Sequence, residues 1–214
     1  MPETPPRFDA AFRTTLELLF RWRRDVRRFR ADPLETGLLE RLLAAAHTAP
    51  SVGLSEPWRF VLVESPHRRA AVRESFARAN AAALAGYEGE RAALYARLKL
   101  EGLDVAPVQL ALFIDPDPPK GAGLGRQTMP ETLAYSAVLA AGQLWLAARA
   151  AGVGMGWVSI LEPDVVHACL DLPPSWQLIG YFCLGYPETE TPLPELEAAG
   201  WERRGPLADV LFRR

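Results

Sequence analysis

The run Leu133–Val153 constrains this chain more than any other feature. It is the longest apolar stretch in the sequence and is rich in alanine. Tyr135, Ser136, Gln143 and Arg149 interrupt it. Those interruptions suit a buried helix of a water-soluble protein rather than a lipid-facing span. With 214 residues, 49% of them hydrophobic, the chain can bury a sizeable core in one domain. The formal net charge of −2 provides no global positive field to draw it to nucleic acid or anionic lipid. The N-terminus has three prolines and no apolar run before Phe8, so no signal peptide is expected and the expected location is cytoplasmic. Cys169 and Cys183 stand in apolar surroundings and read as buried reduced thiols.

Read along the chain, residues 1–8 form a frayed tail and Phe12, Leu16, Leu19 and Phe20 recur at helical spacing. Asp32-Pro33-Leu34-Glu35 predicts a helix start, with Asp32 as N-cap and Glu35 closing a capping box. A short strand is expected at Arg59–Glu64, then a helix from Ser65-Pro66 to about Leu84 and a second helical segment over Glu88–Leu100. Val108–Ile114 reads as the second strand. Asp115–Gly125, rich in proline and glycine, is loop. Thr128-Met129-Pro130-Glu131 reads as the capping box of the long helix, which Gly152, Gly154 and Gly156 end. Trp157–Ile160 and Ile179–Leu184 are the remaining strands, separated by a helix over Pro163–Leu172. From Gly185 to Arg214 the chain is an aperiodic arm of the kind that packs on a partner subunit. The class is α+β: a single domain over 1–214, with a small sheet wrapped by helices.

Three segments carry the chemistry. Arg21–Arg30 places six arginines in ten positions, interleaved with Trp22, Val26 and Phe29 at spacings that bury one face. Guanidiniums held this way suit a phosphate, because the planar fork binds two oxygens at once; a solvated helix end or a weak nucleic-acid patch is the plainer alternative. Asp25, surrounded by arginines, should stay ionised. Ala49–Trp58 is a loop of small and hydroxyl residues whose backbone N–H groups can approach a ligand. Gly152-Val153-Gly154-Met155-Gly156 superficially matches a dinucleotide fingerprint, but a helix precedes it and a strand follows, the reverse of the required order. His47, His67 and His167 lie at no metal-ligand spacing, so no metal site is assigned. These residues point to a planar, apolar, phosphate-bearing ligand; they do not name a reaction.

The blocks RRDVRRF (Arg23–Phe29), APSVGLSEPWRF (Ala49–Phe60), KLEGL (Lys99–Leu103), GRQTMPETLAYS (Gly125–Ser136) and GWVSIL (Gly156–Leu161) resemble, in order, signature blocks of the flavin-dependent nitroreductase superfamily. Within it they are most similar to the branch that consumes reduced FMN to make 5,6-dimethylbenzimidazole, the lower ligand of vitamin B12. The resemblance implies a small, mostly antiparallel sheet and an FMN-binding homodimer with the flavin at the subunit interface and the C-terminal arm, 185–214, exchanged. It implies that Arg23, Arg24 and Arg27 hold the phosphate and the pyrimidine side of the ring. Ser51, Gly53 and Ser55 would line the flavin, and Leu103 would belong to a lid segment over it. Asp25 would transfer protons, and Ser159 would hydrogen-bond near the ring and ribityl chain. The implied reaction uses O2 to fragment reduced FMN, supplied by a separate flavin reductase, into 5,6-dimethylbenzimidazole and erythrose 4-phosphate.

Two positions depart from the branch pattern: Glu56 stands where Gln is expected, and Gly142-Gln143-Leu144-Trp145 where Gln-Asn-Leu-Trp is. The competing readings are an NAD(P)H-dependent nitro- or quinone reductase that cycles FMN intact, and a non-catalytic flavin-binding protein. The Lys99–Leu103 segment disfavours the first, since a covered flavin excludes nicotinamide. The pairing of Asp25 with Ser159 disfavours the second.

Overall fold

The computed structural model describes residues 5–214, so residues 1–4 of the expected tail lie outside the described residues. Helix α1 (Ala10–Trp22) is capped by Asp9, whose Oδ1 accepts from the Phe12 amide at 2.8 Å. Helix α2 spans Leu38–His47, strand β1 Trp58–Leu62, helix α3 Pro66–Ala85 and helix α4 Gly89–Tyr95. Strand β2 (Val108–Ile114), helix α5 (Thr132–Ala150), strand β3 (Gly154–Val158), helix α6 (Pro163–Leu170), strand β4 (Gln177–Gly185) and helix α7 (Glu195–Ala198) follow. The strands form one antiparallel sheet in the order β1-β2-β4-β3. Among the described residues no helix is long and apolar enough to cross a membrane.

Alternation along β2 and β4 sorts the core into two layers. Leu110, Leu112, Phe182 and Leu184 face α2 and α5, packing with Leu42, Ala46 and Leu144. Ala111, Phe113, Tyr181 and Cys183 face the other way, toward Val72 of α3 and Val166 of α6. Helices therefore cover both faces, and the two central strands are apolar almost throughout, as a sheet buried on both sides requires. Burial pushes the Cys183 thiol up to about 12; Cys169 is half-buried, and both cysteines are free.

Both expected capping boxes fail, each because the local backbone turns before the helix begins. Thr36-Gly37 forms a turn with Gly37 at φ 75°, and α2 starts only at Leu38. Asp32 pairs instead with Arg30 at 2.9 Å, and the Glu35 amide donates to the Tyr186 hydroxyl. Ahead of α5, Thr128 Oγ1 donates to the Gly125 carbonyl, and the helix opens at Thr132 with no side-chain cap. Helix α4 is also shorter than expected, leaving 98–103 without regular structure.

Gly152, at φ 73°, does follow the end of α5. Gly154 and Gly156 do something else: they lie inside β3, at the sheet edge, where the chain from Asp25 to Val26 runs alongside. Asp25 and Met155 form a parallel bridge, and the Val26 amide donates to the Met155 carbonyl at 3.1 Å. A Cβ on Gly156 would stand 2.0 Å from the Val26 carbonyl oxygen, and one on Gly154 would strike the Val26 side chain. The glycines are what let this segment lie against the edge strand. Gly156→Ala should therefore destabilise the fold by about 1–3 kcal/mol or more, the usual range for overpacking against unyielding backbone. Chemical denaturation measures it, and an unchanged midpoint would contradict the seating described here.

Candidate active site

The bridge to β3 fixes Asp25 backbone, and two further partners fix its carboxylate. Oδ1 accepts from the Trp157 amide at 2.8 Å. Oδ2 accepts from Arg27 Nε at 3.1 Å and Nη2 at 2.9 Å. A carboxylate offers about four acceptor positions, so a position remains open, and the side chain is 32% exposed. Arg27 is itself held from behind, donating through Nη1 to the Lys99 carbonyl at 3.0 Å. The KLEGL block thus lies against RRDVRRF: a Cβ on Gly102 would fall 2.3 Å from the Phe29 ring.

The other arginines divide by role. Arg24 donates through Nε and Nη2 to the Pro192 carbonyl, at 3.1 and 2.6 Å, and through Nη1 to the Arg23 carbonyl. Its fork is committed to tying down the arm, while its charge remains. Arg23 lies over the Trp145 ring at 5.0 Å. Arg204, from the arm, converges on both. Burial and then the Arg204 charge hold Arg23 below the usual arginine range; burial, Arg23 and Arg204 do the same to Arg24. None of the ion pairs among the described residues involves Arg23, Arg24 or Arg204. Three guanidiniums are thus gathered without an ion-paired carboxylate, an arrangement suited to an anion; the nearby acidic charges are Asp25, acting on Arg23, Glu197, acting on Arg24, and Glu17 in the groove wall. A groove of about 620 Å³ runs between these arginines. An adjoining cavity of about 160 Å³ continues from Arg204 to Asp25 and Arg27. Sequence reasoning missed Arg204, which sits far from the other basic residues in an aperiodic arm; the Glu202-Arg203-Arg204 cluster after Trp201 was the available signal.

The hydroxyl loop lies elsewhere. Ser51 Oγ accepts from the Glu56 amide at 3.1 Å, and the Val52 amide donates to Ser136 of α5. Gly53, at φ 58°, packs so closely on the 121–124 loop that a Cβ would lie 3.0 Å from the Leu124 carbonyl. Ser55 is 3% exposed, and its hydroxyl has no hydrogen-bond partner. Glu56 pairs with Lys120 and lies 4.0 Å from His47 Nε2. The Lys120 hydrogen bond holds its carboxyl below the usual range, so the extra negative charge is compensated locally.

The loop precedes β1, whereas Asp25 lies along β3, at the opposite edge of the sheet. At about 4.8 Å per strand, the two edges are roughly 14 Å apart. Helix α5 gives the same answer: Ser136 supports the loop and Trp145 Nε1 donates to the Arg24 carbonyl. At 1.5 Å per residue those positions are separated by roughly 14 Å. Neither the groove nor the cavity beside Asp25 reaches Ser51, Gly53 or Ser55. Ser159 is exposed just past the end of β3, outside that cavity. Leu103 is 1% exposed, within the core beside Phe29; Glu101 and Gly102 are buried with it, and only Leu98–Leu100 before them is half-buried, so Leu103 cannot itself lie over a ligand. Within one chain the arginine cluster and the hydroxyl loop are therefore separate.

The chain matches the Nitroreductase family model over residues 20–186. It is 55% identical over 203 residues to the 5,6-dimethylbenzimidazole synthase of Rhodospirillum rubrum, covering 95% of this chain and 96% of that one. A protein of the same name from Rhodobacter capsulatus is 47% identical, covering 93% of this chain and 96% of that one. Among solved structures, iodotyrosine deiodinase bound to FMN and 3-iodo-L-tyrosine superposes with a TM-score of 0.69 at 24% identity, over 82% of this chain and 91% of that one.

If the arginine cluster is an anion site, Arg204→Ala should weaken binding of inorganic phosphate about tenfold, the loss of one charge-assisted hydrogen bond. Titration followed at the Trp145 indole N–H reads it. Lys120→Ala, on the distant loop, should leave the affinity unchanged. Equal affinity for Arg204→Ala and the parent would remove Arg204 from the site.

Proposed function

The chain belongs to the nitroreductase family, and from that premise we propose that it is a 5,6-dimethylbenzimidazole synthase. Its substrate is reduced FMN, which it fragments with O2 to 5,6-dimethylbenzimidazole and erythrose 4-phosphate. The observation that carries this reading is the clamped Asp25 carboxylate, with an open acceptor position, beside an unpaired arginine cluster. A reductase that returns its flavin intact needs no carboxylate beside the sugar chain. Fragmentation does, because breaking ribityl bonds requires removing protons from carbon and oxygen.

The residues fit the substrate. Arg23 and Arg204 bind the phosphate, with Arg24 adding charge. The adjoining cavity leads from there to Asp25 and Arg27, which supports a reading in which they lie along the ribityl chain and the pyrimidine side of the ring. The bound reduced flavin supplies the electrons that O2 accepts, and a separate flavin reductase must deliver it in that state. Asp25 takes a proton at Oδ1, the oxygen not used by Arg27. The half-buried Leu98–Leu100 stretch, bonded to Arg27 through the Lys99 carbonyl, excludes water from the reacting ring, a condition oxygen chemistry on a reduced flavin requires.

The hydroxyl loop is supplied by a second copy. Tyr135, Val138, Leu139 and Gly142 form an exposed stripe on α5 at i, i+3, i+4 and i+7 spacing. Gly142 has open space where a Cβ would be, which lets another helix approach closely. Antiparallel packing of this stripe on its own copy brings the Ser51–Ser55 loop of one chain to the Asp25 end of the other. The unpartnered Ser55 hydroxyl, costly to leave buried and unbonded, then finds its partner on the ligand. Ser159 is assigned to the ring and ribityl region, and the C-terminal arm, where Leu207, Val210 and Phe212 are exposed, to the surface of the second copy.

Aerobic incubation with FMN, NADH and a separate flavin reductase, followed by mass spectrometry, tests this. The parent should yield 5,6-dimethylbenzimidazole; quantitative recovery of intact FMN would refute the assignment. Asp25→Asn should retain FMN binding and lower benzimidazole yield by about a hundredfold or more, within the range of general acid–base contributions. An unaltered yield would remove Asp25 from the chemistry.

A further inference from the structure

Gln109 is the polar residue in the otherwise apolar strand β2, and it is 1% exposed. Its side chain shares a face with Tyr181, a diagonal neighbour across the β2–β4 pairing, where Gln109 faces Cys183 and Ala111 faces Tyr181. The Tyr181 hydroxyl, fully buried, donates to Gln109 Oε1 at 2.7 Å. Gln109 Nε2 donates in turn to the Leu103 carbonyl at 2.7 Å. Burial raises Tyr181 well above the ordinary tyrosine range, so the phenol remains a donor. A buried amide in this layer carries a desolvation cost that an apolar residue would avoid, and what it holds is the backbone of one segment.

That segment is bonded at both ends. Gln109 holds the Leu103 carbonyl; Glu101 accepts from the Leu103 amide and pairs with Lys99; the Lys99 carbonyl accepts from Arg27 Nη1. Arg27 then orients Asp25 through Oδ2. Contiguous bonds therefore run from Tyr181, deep in the sheet, to the carboxylate at the site.

We propose that Gln109, set by Tyr181, is a positioning residue for the fragmentation reaction. It fixes the Lys99–Leu103 segment, whose Lys99 carbonyl aims the Arg27 guanidinium and so the Asp25 carboxylate. Its effect on turnover rests on the synthase reading; its effect on Arg27 does not.

The test uses the full chain and two variants: Gln109→Met, which keeps the length and removes both bonds, and the milder Tyr181→Phe, which removes one hydroxyl. Three readouts are taken: amide hydrogen exchange over residues 98–106, the NMR signal of Arg27 Nε–H, and kcat for benzimidazole alongside FMN affinity. Gln109→Met should speed exchange in 98–106 by about tenfold or more and broaden or shift the Arg27 signal. It should lower kcat about tenfold or more, the scale of a misplaced catalytic group, and weaken FMN binding by less than that, since the phosphate arginines are untouched while Arg27 shifts. Tyr181→Phe should move all three in the same direction by less, and it decides the matter if Gln109→Met does not fold. Faster exchange with an unmoved Arg27 signal and unchanged kcat would overturn the proposal, reducing Gln109 to a local structural bond. If the parent makes no benzimidazole, the synthase reading fails, and the Arg27 signal alone still upholds or overturns the positioning role.

Discussion

The candidate site depends on one backbone apposition: the Asp25-Val26 segment lying on the glycine-paved edge of β3. With Gly156 leaving no side chain under the Val26 carbonyl, the segment comes close enough for the Trp157 amide to reach Asp25. Once Asp25 is fixed there, Arg27 closes on its second oxygen, and the Lys99 carbonyl closes on Arg27. Phe29 then lies under Gly102 and completes the second core layer. A segment without regular structure is thus ordered by four neighbours, and its arginines project from a fixed base. Such preorganisation favours catalysis because little reorganisation is left to occur during reaction.

The sheet that provides this edge also limits what one chain can do. Its two edges carry different parts of the candidate site, Asp25 and the arginines along β3 and the hydroxyl loop before β1. The long helix α5 touches both and holds them apart. The helix also presents an uncovered apolar stripe between them. The length of this one helix sets the separation, and its stripe is the surface proposed above for a second copy.

Much of the fold was legible from pattern alone. The expected second strand, Val108–Ile114, matches β2 residue for residue, because its β-rich apolar run is bounded by Pro107 and the proline-rich loop. Helix starts were less legible: Asp32 and Thr128 have the right chemistry for caps, but the Gly37 turn and the turn ending at Thr132 take precedence. Gly154 and Gly156 illustrate a deeper ambiguity. In sequence they continue the helix-stopping signal of Gly152; in space they seat another segment, which only the tertiary fold reveals. The meeting of Asp25 with Arg27 was legible because they share one block. Arg204 could not be joined to them, since its place depends on how the arm folds back. Gln109 was visible as a polar residue in an apolar strand, but its partners follow only from the β2–β4 register.

The central claim is that each reaction centre draws Asp25 from one chain and the Ser51–Ser55 loop from another. Mixing two separately inactive variants tests it most directly: Asp25→Asn, and Gly53→Val, which forces the loop off the 121–124 backbone. After co-refolding, half of the dimers carry one variant of each kind, and each of these regains one centre with both halves intact. The account predicts benzimidazole production at about one quarter of the parent level. If the mixture stays as inactive as its components while the mixed dimers form, both halves belong to one chain and the shared site is wrong.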